Sequence, residues 1–207
     1  MDKINKLVTQ ATQGLSSTRT QSKQWPHLQQ KKDALLTCYS DLKTFCLTFN
    51  PSLQRLVAEA EDRAILGTAP MLCVIDAAYG EGSAAQWLIP QLHDLCAAVG
   101  VKTKLDENQF MQLATMIRNE FGYLKATEVM LFLYRLKGGH YGEFYGSVDI
   151  QRVMRALRGK FVEERAKVLG AYESELKEQA RIERAKTALR PDEIVALRKR
   201  LQEEGKI

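Results

Sequence analysis

Apolar positions recur at steps of three and four along most of this chain, marking out one helix after another. Leu35, Cys38, Leu42, Phe45 and Phe49 form one face of a helix predicted over Asp33 to Phe49. Asn50–Pro51 ends that helix and opens the next, with Asn50 as N-cap and Pro51 in the first helical position, running through Leu53, Leu56 and Val57 to Gly67. A third helix begins near Thr68–Pro70, carries Met71, Leu72, Val74 and Ile75, and stops at Gly80 to Gly82. Ser83 is predicted to cap a fourth, Ala84 to Val99, in which Pro90 removes a backbone donor and predicts a kink. Gly100 closes it, and Val101–Leu105 reads as a short extended stretch. Asp106 then opens a helix striped by Phe110, Leu113, Ala114, Ile117 and Phe121, which Gly122 terminates.

From Thr127 the pattern changes, because Val129, Met130, Leu131, Phe132, Leu133, Tyr134 and Leu136 leave hardly any polar face. A helix that is apolar almost all round belongs inside a ring of others. A loop over 138–148 follows, with Gly138 or Gly139 ending the helix in a left-handed conformation and Tyr141, Phe144 and Tyr145 folding back as lids on the core. Asp149 is the expected N-cap of a long helix that buries Ile150, Val153, Met154, Leu157 and Phe161 and turns Arg152 and Arg155 outward. Beyond Phe161 the stripe thins to Val168, Leu169, Tyr172 and Leu176 and charge takes over. Pro191 starts a last short helix with Ile194, Leu197 and Leu201 on one side.

Strand alternation is nearly absent, so the predicted fold is all-α: an irregular multi-helix bundle with a central apolar helix and a long basic C-terminal helix. Residues 1–30, rich in Gln, Ser and Thr, read as an N-terminal arm that Trp25–Pro26 docks on the core; 31–165 form the bundle and 166–207 a charged helical extension.

The 207 residues, 45% apolar, suffice for one sizeable core. The formal charge of +5 is uneven: residues 1–30 carry +3, 51–100 carry −4 and 150–207 carry +5. Basic ends fit contact with a polyanion, and equally fit ordinary solvated helices. Cys38, Cys46, Cys73 and Cys96 show neither a CxxC pair nor a histidine at metal-ligand spacing, so they read as buried reduced thiols in a cytoplasmic protein. Neither a secretory signal nor a stretch of the roughly 20 apolar residues needed to span a bilayer is evident.

Catalytic chemistry is not foreshadowed. His93 and Cys96 stand three apart on a helix, but no oxyanion-hole glycine turn follows, so a satisfied helical histidine is the simpler reading. Glu59, Glu61, Asp62, Glu163, Glu164, Glu203 and Glu204 read as surface charges. Gly138, Gly139, Gly142 and Gly146 miss the phosphate-cradling GxxxxGK[ST] pattern and follow a helix rather than a strand, so no nucleotide cofactor is expected, nor any other cofactor or metal. The remaining candidate is a nucleic-acid surface, in which Tyr141 and Tyr145 offer stacking faces beside Lys137, His140, Arg152 and Arg155. The competing reading assigns the same residues to cation–π pairs within the fold.

Phe121-x-Tyr123-Leu124-Lys125, Glu128, Leu131, Phe132, then Lys137-Gly-x-x-Tyr141-Gly-x-x-Tyr145-Gly-x-x-Asp149, Leu157 and Glu164–Arg165 resemble the signature of a helical family of bacterial and phage proteins. The resemblance covers residues 85–165. Its general form is similar to phage replication accessory proteins of the helicase-loader type, a helical module followed by a charged tail, an analogy of architecture. Taken with the basic ends and the loop, this analogy leads to the expectation of a non-enzymatic cytoplasmic adaptor whose partners are single- or double-stranded DNA and a helicase or other replication protein, while the spacing of Ile194, Leu197 and Leu201 on the last helix marks them as the protein-binding handle. The alternative is a purely protein-binding module, an anti-defence, host-takeover or virion component.

Overall fold

The computed structural model describes residues 26–102, 104–187 and 191–204. The fold is all-α, without a strand among the described residues. Its helices are α1 (Pro26–Cys38), α2 (Leu42–Thr48), α3 (Gln54–Glu59), α4 (Glu61–Leu66), α5 (Leu72–Tyr79), α6 (Ser83–Ala98), α7 (Glu107–Glu120), α8 (Ala126–Lys137), α9 (Ile150–Arg155), α10 (Val162–Thr187) and α11 (Pro191–Glu203). A 3-10 turn, Pro51–Leu53, leads into α3, and a π-helical turn, Ala156–Phe161, joins α9 to α10.

The centre is α8. Val129, Met130, Leu131, Phe132 and Leu133 are all fully enclosed, which a helix achieves only with neighbours on every side. Those neighbours are α3, α4, α6 and the π turn, and α6 in turn packs along α7. Each large side chain enclosed this way contributes about 1.5–3 kcal/mol relative to exposure. A cluster of polar groups sits inside: the Phe49 carbonyl, at the end of α2, accepts from Trp87 Nε1 at 2.8 Å and Gln91 Nε2 at 2.7 Å, while Gln54 Nε2 donates to Gln91 Oε1 at 2.6 Å and Gln54 Oε1 is left without a partner. The Phe45 and Phe49 rings lie tilted to one another with centroids 4.7 Å apart, and Tyr39 and Trp87 meet them edge-on.

Residues 122–127 and 64–73, far apart in sequence, are clasped along their backbones. Leu72 N–H donates to Leu124 O, Cys73 N–H to Gly122 O and Ala126 N–H to Pro70 O, each at 2.9 Å. Lys125 Nζ completes the clasp by donating to the carbonyls of Ile65 at 2.5 Å and Gly67 at 2.7 Å, and Thr127 Oγ1 donates to Ala64 O at 2.8 Å. The burial this demands pushes the Lys125 ammonium below its ordinary value. This pairing brings the start of α5 against the start of α8.

Several helix boundaries depart from the periodic pattern. The stretch from Asp33 to Phe49 is two helices, because the Asp41 carboxylate accepts the Thr44 N–H at 2.8 Å and starts α2 afresh. The first of them begins at Pro26, where proline suits an opening turn, although the polar run after it carries no apolar stripe. Ser83 is not the cap of α6: Asp76, reaching over from α5, accepts the Ala84 N–H at 2.9 Å and is held by Arg118 of α7. Pro90 lies inside a helix that continues through it, and the described residues of Val101–Leu105 form no strand. Asn50, Asp106, Asp149 and Gly80 stand at the helix ends expected of them. Cys96 is buried as expected and Cys46 half-buried, but Cys38, the last residue of α1, and Cys73 are exposed. The contact expected of Trp25 lies outside the described residues.

Candidate nucleic-acid interface

The loop after α8 is shaped by where the chain must reverse. Gly139 takes φ +76° as the helix ends, and His140 N–H returns to Arg135 O at 3.0 Å. Tyr141 then folds inward, 7% exposed, its ring stacked on Phe132 at 5.6 Å and its hydroxyl donating to Glu164 Oε2 at 2.9 Å. Burial, with the Glu164 carboxylate facing it, pushes the Tyr141 hydroxyl well above the ordinary tyrosine value. Gly142 has φ +104°, and a Cβ there would stand 3.3 Å from Arg152 Nη2, so the loop backbone lies against the guanidinium. Asp149 ends the loop by accepting the Arg152 N–H at 2.7 Å.

Two successive residues of α10 lock it to this assembly. Glu164 takes hydrogen bonds from Arg135 Nη1 and the Tyr141 hydroxyl, both at 2.9 Å, with His140 Nε2 3.2 Å from its other oxygen. Arg165 Nε donates to Glu128 Oε1 at 2.7 Å, and its guanidinium lies 5.4 Å from the Tyr123 ring. Glu128 is fully buried, and its second oxygen accepts the Lys125 N–H at 2.8 Å. Arg135 reaches further, to Glu61 Oε2 at 2.7 Å. Glu61 and Glu164, expected as surface charges, are therefore parts of a network that ties α4, α8, the loop and α10 together.

The six residues proposed as a nucleic-acid surface divide accordingly. Lys137 pairs with Asp94 at 2.5 Å and His140 with Glu164, while Tyr141 is a core residue whose ring face is already covered. Tyr145, Arg152 and Arg155 stay together on the other side of the loop. Tyr145 is 78% exposed, so it does not fold back as a lid, whereas Phe144 is half-buried. The Arg152 guanidinium lies 5.2 Å from the Phe144 ring and 5.8 Å from that of Tyr145. Arg152, Arg155, Tyr141 and Asp149 line a groove of about 590 Å³ together with Gly159 and Lys160. Among the described residues, no carboxylate pairs with Arg152, Arg155 or Lys160.

Lys160 was not evident from periodicity. Residues five apart lie about 140° from one another around an α-helix, so Arg155 and Lys160 read as different faces. The π turn closes on the fifth residue instead and brings both to one groove. Arg158, between them, is withdrawn from it by Glu120, which it grips at 2.5 and 2.6 Å.

Other candidate chemistry has structural uses. The His93 ring stacks on Phe110 at 3.9 Å, and burial pushes the Cys96 thiol up, away from the thiolate a nucleophile needs. Among the described residues no group of side chains is arranged to hold a metal, and no helix is long and apolar enough to cross a membrane. On α11, Ile194 and Leu197 are exposed and Leu201 is half-exposed.

Fold and site together define an all-helical protein with a cation-lined groove beside an aromatic loop. Residues 104–205 match a family of unknown function (DUF6633), a span that runs from before α7 through α11 and includes the loop, the groove and the Glu164–Arg165 lock. No curated protein and no solved structure matches the chain.

Proposed function

We propose that this chain is a non-enzymatic adaptor that binds nucleic acid through the groove between the loop and the π turn. The observation that carries the reading is the set of three cations, Arg152, Arg155 and Lys160, without carboxylate partners among the described residues, next to an exposed tyrosine. Elsewhere around the bundle, Arg118, Arg135, Lys137, Arg158 and Arg165 are each matched by a carboxylate. Phosphate oxygens supply to the groove what carboxylates supply elsewhere. The wider setting, DNA replication in a phage or mobile element by a helicase-loader-like protein of the cytoplasm, rests on the resemblance in architecture.

A gel-shift series with single- and double-stranded DNA at about 50 and 200 mM salt tests the reading. Affinity should fall with salt, by roughly 0.7–0.9 in log K per log salt for each phosphate neutralised. Arg155→Glu with Lys160→Glu, both on the surface, should remove binding while leaving the thermal melt in place. Absence of binding to any nucleic acid at the lower salt would overturn it.

A second reading has its own support. Ile194 and Leu197, with the half-exposed Leu201, lie on one side of α11, a short apolar edge suited to a protein partner, as in a purely protein-binding anti-defence, host-takeover or virion module. A stoichiometric partner that survives nuclease treatment and is lost on Leu197→Glu distinguishes it.

A further inference from the structure

We infer that the groove is built for a single strand, with phosphates on Arg155 and Lys160 and an unpaired base laid on Tyr145. The inference rests on the nucleic-acid reading and narrows it. Three features of the site carry it.

The first is shape. The cations line a concavity of about 590 Å³, within the roughly 300–1,000 Å³ that encloses a small ligand or a nucleotide or two. A duplex is recognised the other way round, by an element of the protein that protrudes into a groove some 12 Å wide. Arg155 and Lys160, turned into a hollow, reach a thin flexible backbone better than a thick rigid one.

The second is the aromatic. Tyr145 is 78% exposed beside the Arg152 guanidinium, 5.8 Å from its ring. In a duplex every base face is covered by its neighbours, and a free ring gains nothing from it. An unpaired base stacks on such a ring with about 1–3 kcal/mol, with little regard to sequence. Arg152 is held for this purpose by Phe144 at 5.2 Å and by the close approach of Gly142, so the cation needs little ordering on binding.

The third is the gap at Gly159. It lines the groove inside the π turn, its φ is not in the left-handed region, and nothing lies within 4 Å of where a Cβ would sit. The space is open to a ligand and equally open to an engineered side chain. Gly159→Phe should therefore fill the groove without disturbing the core, and a residue other than glycine suits a helix at least as well.

The test measures fluorescence anisotropy of the full chain with labelled oligo-dT of about 16 nucleotides, oligo-U of the same length and a blunt duplex of mixed sequence. Oligo-dT should bind at least about tenfold tighter than the duplex. Tyr145→Ala and Gly159→Phe should each weaken it by tenfold or more, with thermal melts unchanged. Oligo-U binding as well as oligo-dT assigns recognition to phosphate and base face; weaker oligo-U binding adds a preference for deoxyribose, and the single-strand inference stands in both cases. Duplex bound as tightly as oligo-dT, or indifference to both substitutions, overturns the inference while leaving nucleic-acid binding in place. No binding to any of the three removes the parent reading as well.

Discussion

Removing Arg165 isolates a carboxylate in the interior, and the size of the penalty follows from the geometry around Glu128. Glu128 is fully buried; one oxygen faces Arg165 Nε at 2.7 Å and the other the Lys125 N–H at 2.8 Å. Arg165→Met keeps the aliphatic stem over Tyr123 but leaves the carboxylate with a single backbone donor. Loss of one partner of a buried pair costs about 3–5 kcal/mol, because the surviving charge stays out of water. For a chain of this size that lowers the melting temperature by about 6–20 °C. Glu128→Gln should cost less, about 1–2 kcal/mol, since the amide oxygen still accepts the Lys125 N–H and Arg165, with 18% of its side chain exposed, turns to solvent. The double variant should lose clearly less than the two single losses combined, by at least about 1 kcal/mol. Urea melts of the four proteins measure the cycle. Strict additivity, or a loss below about 1 kcal/mol for Arg165→Met, would refute the claim that this pair is a buried lock between α8 and α10.

Gly142→Val should destabilise by about 2 kcal/mol or more in the same melts, since it combines φ +104° with a contact on Arg152; an unchanged midpoint would mean that the loop shifts freely. Asp76→Ala removes both the cap of α6 and the partner of Arg118, so it should cost about 2–4 kcal/mol, more than either loss alone, whereas Asp76→Asn, which keeps the cap, should recover part of it. Alkaline stability should fall as pH rises above about 10: the Tyr141 hydroxyl titrates higher in the folded than in the unfolded chain, so its contribution is complete below the unfolded value and drains away above it. Tyr141→Phe should flatten that fall, leaving the parts due to Tyr79 and to the Cys46, Cys73 and Cys96 thiols, which burial raises the same way. The comparison is made between variant and parent because Lys125, depressed by burial, works in the opposite direction as pH climbs towards about 10.4.

What was legible in the sequence is what short-range patterning encodes. The enclosed helix after Thr127 showed itself because seven apolar residues leave no polar stripe, and the helix ends at Asn50, Gly80, Asp106 and Asp149 because their chemistry acts on the next two or three residues. What escaped is non-local. The clasp of 122–127 on 64–73 uses backbone groups with no side-chain signature, and Asp76 caps a helix other than its own. Glu164 looked like one more surface acid on a charged helix; only the fold brings Arg135, His140 and Tyr141 around it. At the candidate site the tyrosines divided for the same reason. Tyr141 and Tyr145 have the same flanking glycine pattern, yet the one nearer α8 lands on Phe132 and the other clears the edge of the bundle.

The Glu164–Arg165 lock gives physical sense to residues that stand together in the resemblance. Glu128, Tyr141, Glu164 and Arg165 are one polar assembly, and Asp149 caps the helix that leads to it. Each is spent on holding the loop and α10 against α8, so in this chain they build the scaffold rather than present a surface to a ligand. The matched span, 104–205, carries that scaffold but not its support: α8 is enclosed by α3, α4 and α6, and its start is clasped by 64–73, all outside the span. In the proposed function, ligand choice therefore falls to the residues without a carboxylate partner or a place in the core, Tyr145, Arg155 and Lys160, the last reaching the Tyr141 carbonyl at 3.4 Å, with Arg152 braced behind them. Differences in function between chains built on this scaffold are expected at those positions before any other.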